Sequence, residues 1–230
     1  MNNKNMVNFE QLKWDNFEKY VRRQSLARFL ARYELFKMQI PIKGSIIECG
    51  VHYGGGLMAW AKLSANFELY AIDRLIFGLD TFEGFPSIDN KDLSITDNPE
   101  KKVGGLNPNC DVYSELQDII HQYDQNRFLN QFKKVHLIKG DAVHTIPQLI
   151  KEQPHLLVSL LFLDFDLYEP TKVALEHFVP RMSKGAILAF DEINNPWWPG
   201  ETKALLESIN IRDYEIRRFS FDPNIAYIVL

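Results

Sequence analysis

Cysteine is almost missing from this chain: Cys49 and Cys110 are the only two. Two thiols make no disulfide framework, and the six histidines show no metal-ligand spacing. Cys49 falls inside an apolar run and reads as an inert core residue. Long apolar runs are missing too. No stretch of about 18 apolar residues occurs, which excludes a membrane-spanning helix. The leading residues Met1-Asn2-Asn3-Lys4-Asn5 lack the apolar centre of a signal peptide, so a cytoplasmic location is expected. A bias of charge is also missing. Lys and Arg number 26 against 30 Asp and Glu, a net charge of −4. That balance gives no electrostatic footprint for nucleic acid or an anionic membrane, and neither partner is expected.

What remains is ordinary globular material, 46% apolar and 24% charged. A chain of 230 residues is expected to fold as one domain, 1–230, with a substantial core. Apolar residues at helical spacing run from Phe17 to Met38. Residues 1–43 are expected to form a helical cover that shields the site or pairs with a second subunit of a homo-oligomer. Short apolar runs at 45–49, 75–79, 135–138, 156–163, 186–190, 214–219 and 225–229 read as strands. Helical patterns separate most of them, at 57–63, 112–132, 145–151, 171–182 and 201–208. Alternating strands and helices predict an α/β fold, a mostly parallel sheet with helices on both faces. Leu156–Leu163 is the most apolar strand and is placed centrally. The connection before the final strand is too short for a parallel crossover, so that strand is expected antiparallel. Residues 86–110 are rich in Asp, Asn, Lys, Pro and Gly and lack periodicity, the pattern of a lid-like insertion.

Acids stand at the strand ends. Leu163-Asp164-Phe165-Asp166-Leu167-Tyr168 is answered by Phe190-Asp191-Glu192. Strand mouths are where ligands sit in open α/β sheets. Carboxylates gathered at one mouth repel unless a cation or a proton lies between them. Oxygen donors without His or Cys suit Mg²⁺, Ca²⁺ or Mn²⁺ rather than zinc. The plainer alternative is that some of these acids cap helices or face solvent.

The loop Glu48-Cys49-Gly50-Val51-His52-Tyr53-Gly54-Gly55-Gly56 follows the first strand. Its glycines allow close approach of backbone to a ligand. A dinucleotide site would carry G-x-G-x-x-G, and His52 occupies its second glycine position. An acid before the first glycine suits an ammonium group, and E-x-G-x-x-x-G fits S-adenosyl-L-methionine, whose amino acid end is zwitterionic. Glu48, Gly50, Tyr53 and Gly54 are the candidate contacts of that loop. Asp80 ends the second strand, where an acid accepts hydrogen bonds from ribose hydroxyls. Asp73 is the competing choice, nearer the usual spacing of about 20 residues after the glycines. Gly140-Asp141 follows the third strand and is a candidate for the adenine, with a plain turn as the alternative. Lys101-Lys102 and Arg217-Arg218 read as solvated charges.

Several of these motifs occur together in a set order. Glu48-Cys49-Gly50, Asp80-Thr81-Phe82-Glu83-Gly84-Phe85-Pro86, Gly140-Asp141 with Thr145-Ile146-Pro147, Leu163 to Thr171 and Asp191-Glu192 follow one another. In this combination the chain resembles the macrocin O-methyltransferase family over about residues 45–210. The resemblance implies a class I methyltransferase fold of seven strands and S-adenosyl-L-methionine as methyl donor. It implies Mg²⁺ (or Mn²⁺) held by Asp164, Asp191 and Glu192, with Asp164 also beside the cofactor and Asp166 as general base. The acceptor it implies is a hydroxyl of a sugar, a sugar-bearing natural product or a glycan. The family pattern usually has Asp-Asp where this chain has Asp191-Glu192, and Asn194 to Gly200 departs from a shorter family connection. Trp197 and Trp198 in that segment suit stacking on a sugar or an aromatic ring. A phenol or catechol acceptor, a non-catalytic nucleoside-binding domain and a nicotinamide-dependent oxidoreductase are the rival readings.

Overall fold

The computed structural model describes residues 9–95 and 98–230. Residues 1–8 of the expected cover and residues 96–97 of the expected lid lie outside the described residues. Three helices lead: α1 (Phe9–Asp15), α2 (Phe17–Tyr20) and α3 (Arg23–Gln39). Then follow β1 (Ser45–Cys49), α4 (Gly55–Phe67), β2 (Ile76–Asp80), α5 (Val112–Gln125), β3 (Val135–Lys139), α6 (Ala142–Glu152) and β4 (Val158–Leu163). The chain closes with α7 (Tyr168–Phe178), β5 (Met182–Phe190), α8 (Gly200–Ser208), β6 (Arg217–Arg218) and β7 (Ala226–Val229).

The seven strands lie in the order β3-β2-β1-β4-β5-β7-β6. The pairs from β3 to β5 are parallel, and β7 runs antiparallel to both β5 and β6. This is the sheet expected from the sequence, with β4 at its centre. Its strand order reverses between β1 and β4, and the crevice for a ligand opens there. Among the described residues no helix is long and apolar enough to cross a membrane.

The pleat divides the apolar residues between two cores. Ile46, Leu160, Phe162, Ile187 and Ala189 point to the side of α3, α4 and α5, with Phe36, Trp60 and Leu116. Ile47, Leu161, Leu163, Leu188 and Phe190 point to the side of α6, α7 and α8, with Ile146, Phe178 and Leu205. Both sheet faces are buried, which is why these strands read as continuous apolar runs. The same alternation turns Glu48 to the side of Ile46, towards α3. It is fully buried there, the one acid inside an otherwise apolar strand.

Element boundaries shift where capping decides them. Asp141 caps α6 by accepting the Val143 N–H at 3.0 Å, so that helix starts at Ala142 rather than near 145. The expected helix 112–132 stops at Gln125, and Asp111 caps its start. The expected strand 214–219 shrinks to two exposed arginines, Arg217 and Arg218.

Candidate active site

Gly50 sits where β1 leaves the sheet. A Cβ there would lie 1.9 Å from the Asp164 carbonyl oxygen, and φ is +89°. Only glycine tolerates both conditions. The Asp164 N–H donates to the Cys49 carbonyl at 2.8 Å, locking the ends of β1 and β4 together. The loop after Gly50 is held by Asp80. One Asp80 oxygen accepts the N–H groups of Val51 at 2.7 Å and His52 at 2.8 Å, and the other accepts Phe82 N–H at 2.7 Å. Asp80 therefore shapes the glycine loop besides lining a cleft. Asp73 does neither, since it pairs with Lys43 on the surface.

Two clefts meet at Gly50, His52 and Asp164. The first is a small cleft of about 170 Å³. Asp80, Gly140, Asp141, Asp164 and Asp166 line it, with Phe85, Pro86, Leu106 and Pro108 from the lid-like segment. The second lies under α3 and is lined by Glu48, Tyr53, Arg28 and Arg32. Of the expected cofactor residues, Gly54 lines neither. It starts α4 at φ +82°, and a Cβ there would strike Leu116. Its glycine serves the turn and packing.

Asp164 and Asp166 both line the first cleft, but not through a continued strand. β4 ends at Leu163, and Asp166 adopts φ +62°. The residue between them, Phe165, lines the cleft as well rather than turning wholly into packing. Glu201 makes this turn possible. One of its oxygens accepts the N–H groups of Phe165 at 3.0 Å and Asp166 at 3.2 Å, and the other accepts Glu192 N–H at 3.1 Å. Sequence reasoning missed Glu201. Its signal, an acid in the first turn of a helix just after Gly200, is also that of an ordinary helix start.

The electrostatics are those of crowded, buried acids. Burial raises the pKa of Asp164 above the ordinary value, against the pull of Arg32, Arg28 and His52. Asp166 is pushed well up by burial, then by Asp164 and Glu192. Glu192 is raised by burial, opposed by the Asn195 amide that donates to it. Glu201 is raised by burial and by Asp166 and Asp164. Glu48 is pushed up to about 8 by burial, although Arg32 lies 3.6 Å away and opposes the shift.

Asp191 and Glu192, the other two expected metal ligands, are buried and line neither cleft. Arg28 of α3 holds Asp191 through both guanidinium nitrogens, one of them at 2.8 Å. Among the described residues no three acids, histidines or cysteines converge as a metal site. The donor chemistry nevertheless fits a hard cation, because all three groups offer only oxygen. Arg28 supplies the positive charge at Asp191 in this structure, and a metal would have to displace it. Neither Arg28 nor Arg32 was singled out from the sequence, because a helix of mixed polarity hides which arginine faces inward.

The lid-like segment is stitched to its surroundings. Asp92 is buried and accepts the Tyr168 N–H at 2.6 Å. Lys101, read from sequence as solvated, is not. Its ammonium donates to the Asp92 carbonyl at 2.8 Å, to Ser94 at 3.0 Å and to the Trp197 carbonyl. It also lies 5.0 Å from the Trp198 ring centre. Trp198 meets Phe85 edge-on at 5.6 Å, while Trp197 stays exposed. Lys102, Arg217 and Arg218 are exposed, as expected.

Comparison with known proteins follows the same lines. The family model of macrocin-O-methyltransferase (TylF) matches residues 21–203. Mycinamicin III 3''-O-methyltransferase of Micromonospora griseorubida is 24% identical over 151 residues, 66% of this chain and 56% of that protein. The chain thus spans little more than half the length of this curated relative. A calicheamicin methyltransferase superposes with a TM-score of 0.91 at 30% identity, covering 98% of this chain and 87% of that one. The apo structure of the same enzyme, CalS11, a TDP-rhamnose 3'-O-methyltransferase of calicheamicin biosynthesis, gives 0.82 at 28% identity, covering 97% and 87%. With four-fifths of its length inside the family model, this chain belongs to the macrocin O-methyltransferase family.

Proposed function

We propose that this protein transfers the methyl group of S-adenosyl-L-methionine to a hydroxyl of a sugar or a sugar-bearing natural product. The observation that carries the reading is the placement of Asp164 and Asp166 in one cleft at the β1–β4 reversal. The named activities of the relatives favour a sugar acceptor over a phenol.

The adenosine is assigned to the first cleft, with the ribose at Asp80 and the base near Gly140 and Asp141. The amino acid end then points past Gly50 to the second cleft, where Glu48 and Tyr53 lie. The sulfonium already activates the methyl group. What the protein must do is hold the hydroxyl oxygen in line and take its proton. The hydroxyl oxygen bonds to the methyl carbon and the carbon–sulfur bond breaks. Its electron pair stays on sulfur, giving S-adenosylhomocysteine and a methyl ether. Asp166 accepts the proton; its raised proton affinity brings it closer to a hydroxyl whose pKa must fall. Asp164, Asp191 and Glu192 would hold Mg²⁺ or Mn²⁺, which when bound orients the hydroxyl and lowers its pKa. Residues 86–110 act as a lid that keeps water from the reacting groups.

Calorimetry with S-adenosylhomocysteine and NAD tests the cofactor, and mass spectrometry of rhamnosyl and catechol acceptors tests the transfer. Binding of S-adenosylhomocysteine alone, with a methyl group gained only by the rhamnosyl acceptor, is the expected result. Binding of NAD, or methylation of catechol alone, would overturn the reading.

A further inference from the structure

Glu201 accepts three backbone N–H groups from two separate loops, yet nothing in the proposed transfer requires it to touch a reactant. It has no exposed surface and lines neither cleft. Its three donors are Phe165 and Asp166 after β4 and Glu192 after β5. These are the two loops that carry the acids of the site. Packing alone does not require an acid here. Leucine or methionine would fill the space, and placing a fourth carboxylate beside three others works against stability. What a carboxylate adds is two oxygens facing opposite loops, each with room for more than one N–H. Asp166 also holds φ +62°, a conformation that costs energy for a residue with a Cβ and persists only where neighbours enforce it. Its own N–H and that of Phe165 end on one Glu201 oxygen.

We propose that Glu201 is a positioning residue: it clamps the β4 and β5 loops to one carboxylate and so fixes Asp166 over the cleft relative to Asp191 and Glu192. The inference rests on the reading that Asp166 works in methyl transfer. Gly200 permits the arrangement. A Cβ at that residue would lie 2.3 Å from the Asp92 carboxylate and 2.5 Å from the Tyr168 nitrogen, so α8 starts close enough for Glu201 to reach both loops. The clamp is a feature of geometry rather than of overall stability, and that distinction makes it testable.

Glu201→Gln leaves one acceptor oxygen and turns an amide donor towards the opposite loop. Glu201→Met removes both acceptors at similar volume. Amide hydrogen exchange of the purified protein reads the clamp without any acceptor. In Glu201→Met exchange at Phe165, Asp166 and Glu192 should rise about tenfold, and in Glu201→Gln only on the loop that faces the amide nitrogen, with the inner residues of β1 and β4 unchanged in both. Affinity for S-adenosylhomocysteine should stay within about threefold, because these substitutions leave the cofactor contacts in place. With TDP-rhamnose as the acceptor probe, kcat should fall about a hundredfold at nearly constant KM, the cost of a small misplacement. Unchanged exchange at the three amides would overturn the proposal. So would a uniform rise in exchange through the sheet with a lower melting temperature, or failure of both variants to fold, since either makes Glu201 a core support. If TDP-rhamnose is not methylated even by the unaltered protein, the functional reading falls and the exchange data still judge the clamp.

Discussion

Glu48→Gln isolates a pH dependence that the fold builds into β1. The carboxyl of Glu48 is buried, and its pKa stands at about 8 instead of 4.5. At about 1.4 kcal/mol for each pH unit, that displacement has a ceiling of about 5 kcal/mol. The direction follows from counting protons. The folded protein keeps the Glu48 proton up to about pH 8, while the unfolded chain releases it near 4.5. The stability owed to the neutral carboxyl is fully present below pH 4.5 and is lost as pH rises through about 8. Between pH ~5 and ~8 the loss comes to about 3 kcal/mol. Glutamine keeps the shape and cannot titrate. Urea unfolding of both proteins across that range should show the stability of the original protein relative to the variant falling by about 3 kcal/mol from acid to alkali. Taking the difference cancels the other buried acids, which pull in the same direction. A difference that stays constant with pH would refute the reasoning. It would mean that Arg32, 3.6 Å from Glu48, compensates the buried charge fully.

Four further outcomes follow from the site. Asp166→Asn should keep affinity for S-adenosylhomocysteine and lower kcat by roughly 10²–10⁴-fold; normal turnover would remove Asp166 as the base. Asp80→Ala should weaken S-adenosylhomocysteine by about 1–3 kcal/mol in calorimetry, because two N–H groups of the glycine loop and that of Phe82 lose their acceptor. Gly56→Ala should destabilise the protein in urea unfolding, since its Cβ would lie 1.9 Å from Glu48 and 2.7 Å from Arg32; an unchanged midpoint would show that the pair moves freely. Arg28→Ala should tighten Mn²⁺ binding measured by electron paramagnetic resonance, because it frees Asp191, and exhaustive chelation of the unaltered protein should abolish turnover. Unchanged Mn²⁺ affinity in that variant would show that the arginine does not compete for the acid.

The sheet was legible in the sequence because both of its faces are buried. Runs such as Leu156–Leu163 have no polar face to obscure them, and the acids that end them mark the strand mouths. Motif order carried the family. Side-chain direction at the site was much harder to read. Nothing in the spacing of Asp164 and Asp166 reveals that β4 stops at Leu163 and that Asp166 turns to positive φ. The partners of the acids come from far along the chain. Arg28 lies 163 residues from Asp191, and Glu201 lies 36 from Phe165. Pairings of that kind are set by packing of α3 and α8 on the sheet, which local periodicity does not encode. Lys101 failed for a related reason: a charged residue in a polar segment looks solvated until the loop that covers it is known.

The ammonium of Lys101 belongs to two segments at once. It draws its acceptors from Asp92 and Ser94 on one side and from Trp197 on the other. It ties the two segments together, so on the proposed reading the covering of the cofactor and the shaping of the acceptor wall are coupled. A change of acceptor preference made by exchanging residues 194–200 alone would therefore alter how tightly the cofactor is covered. Exchange of the segment around Trp197 should be designed together with the segment around Lys101.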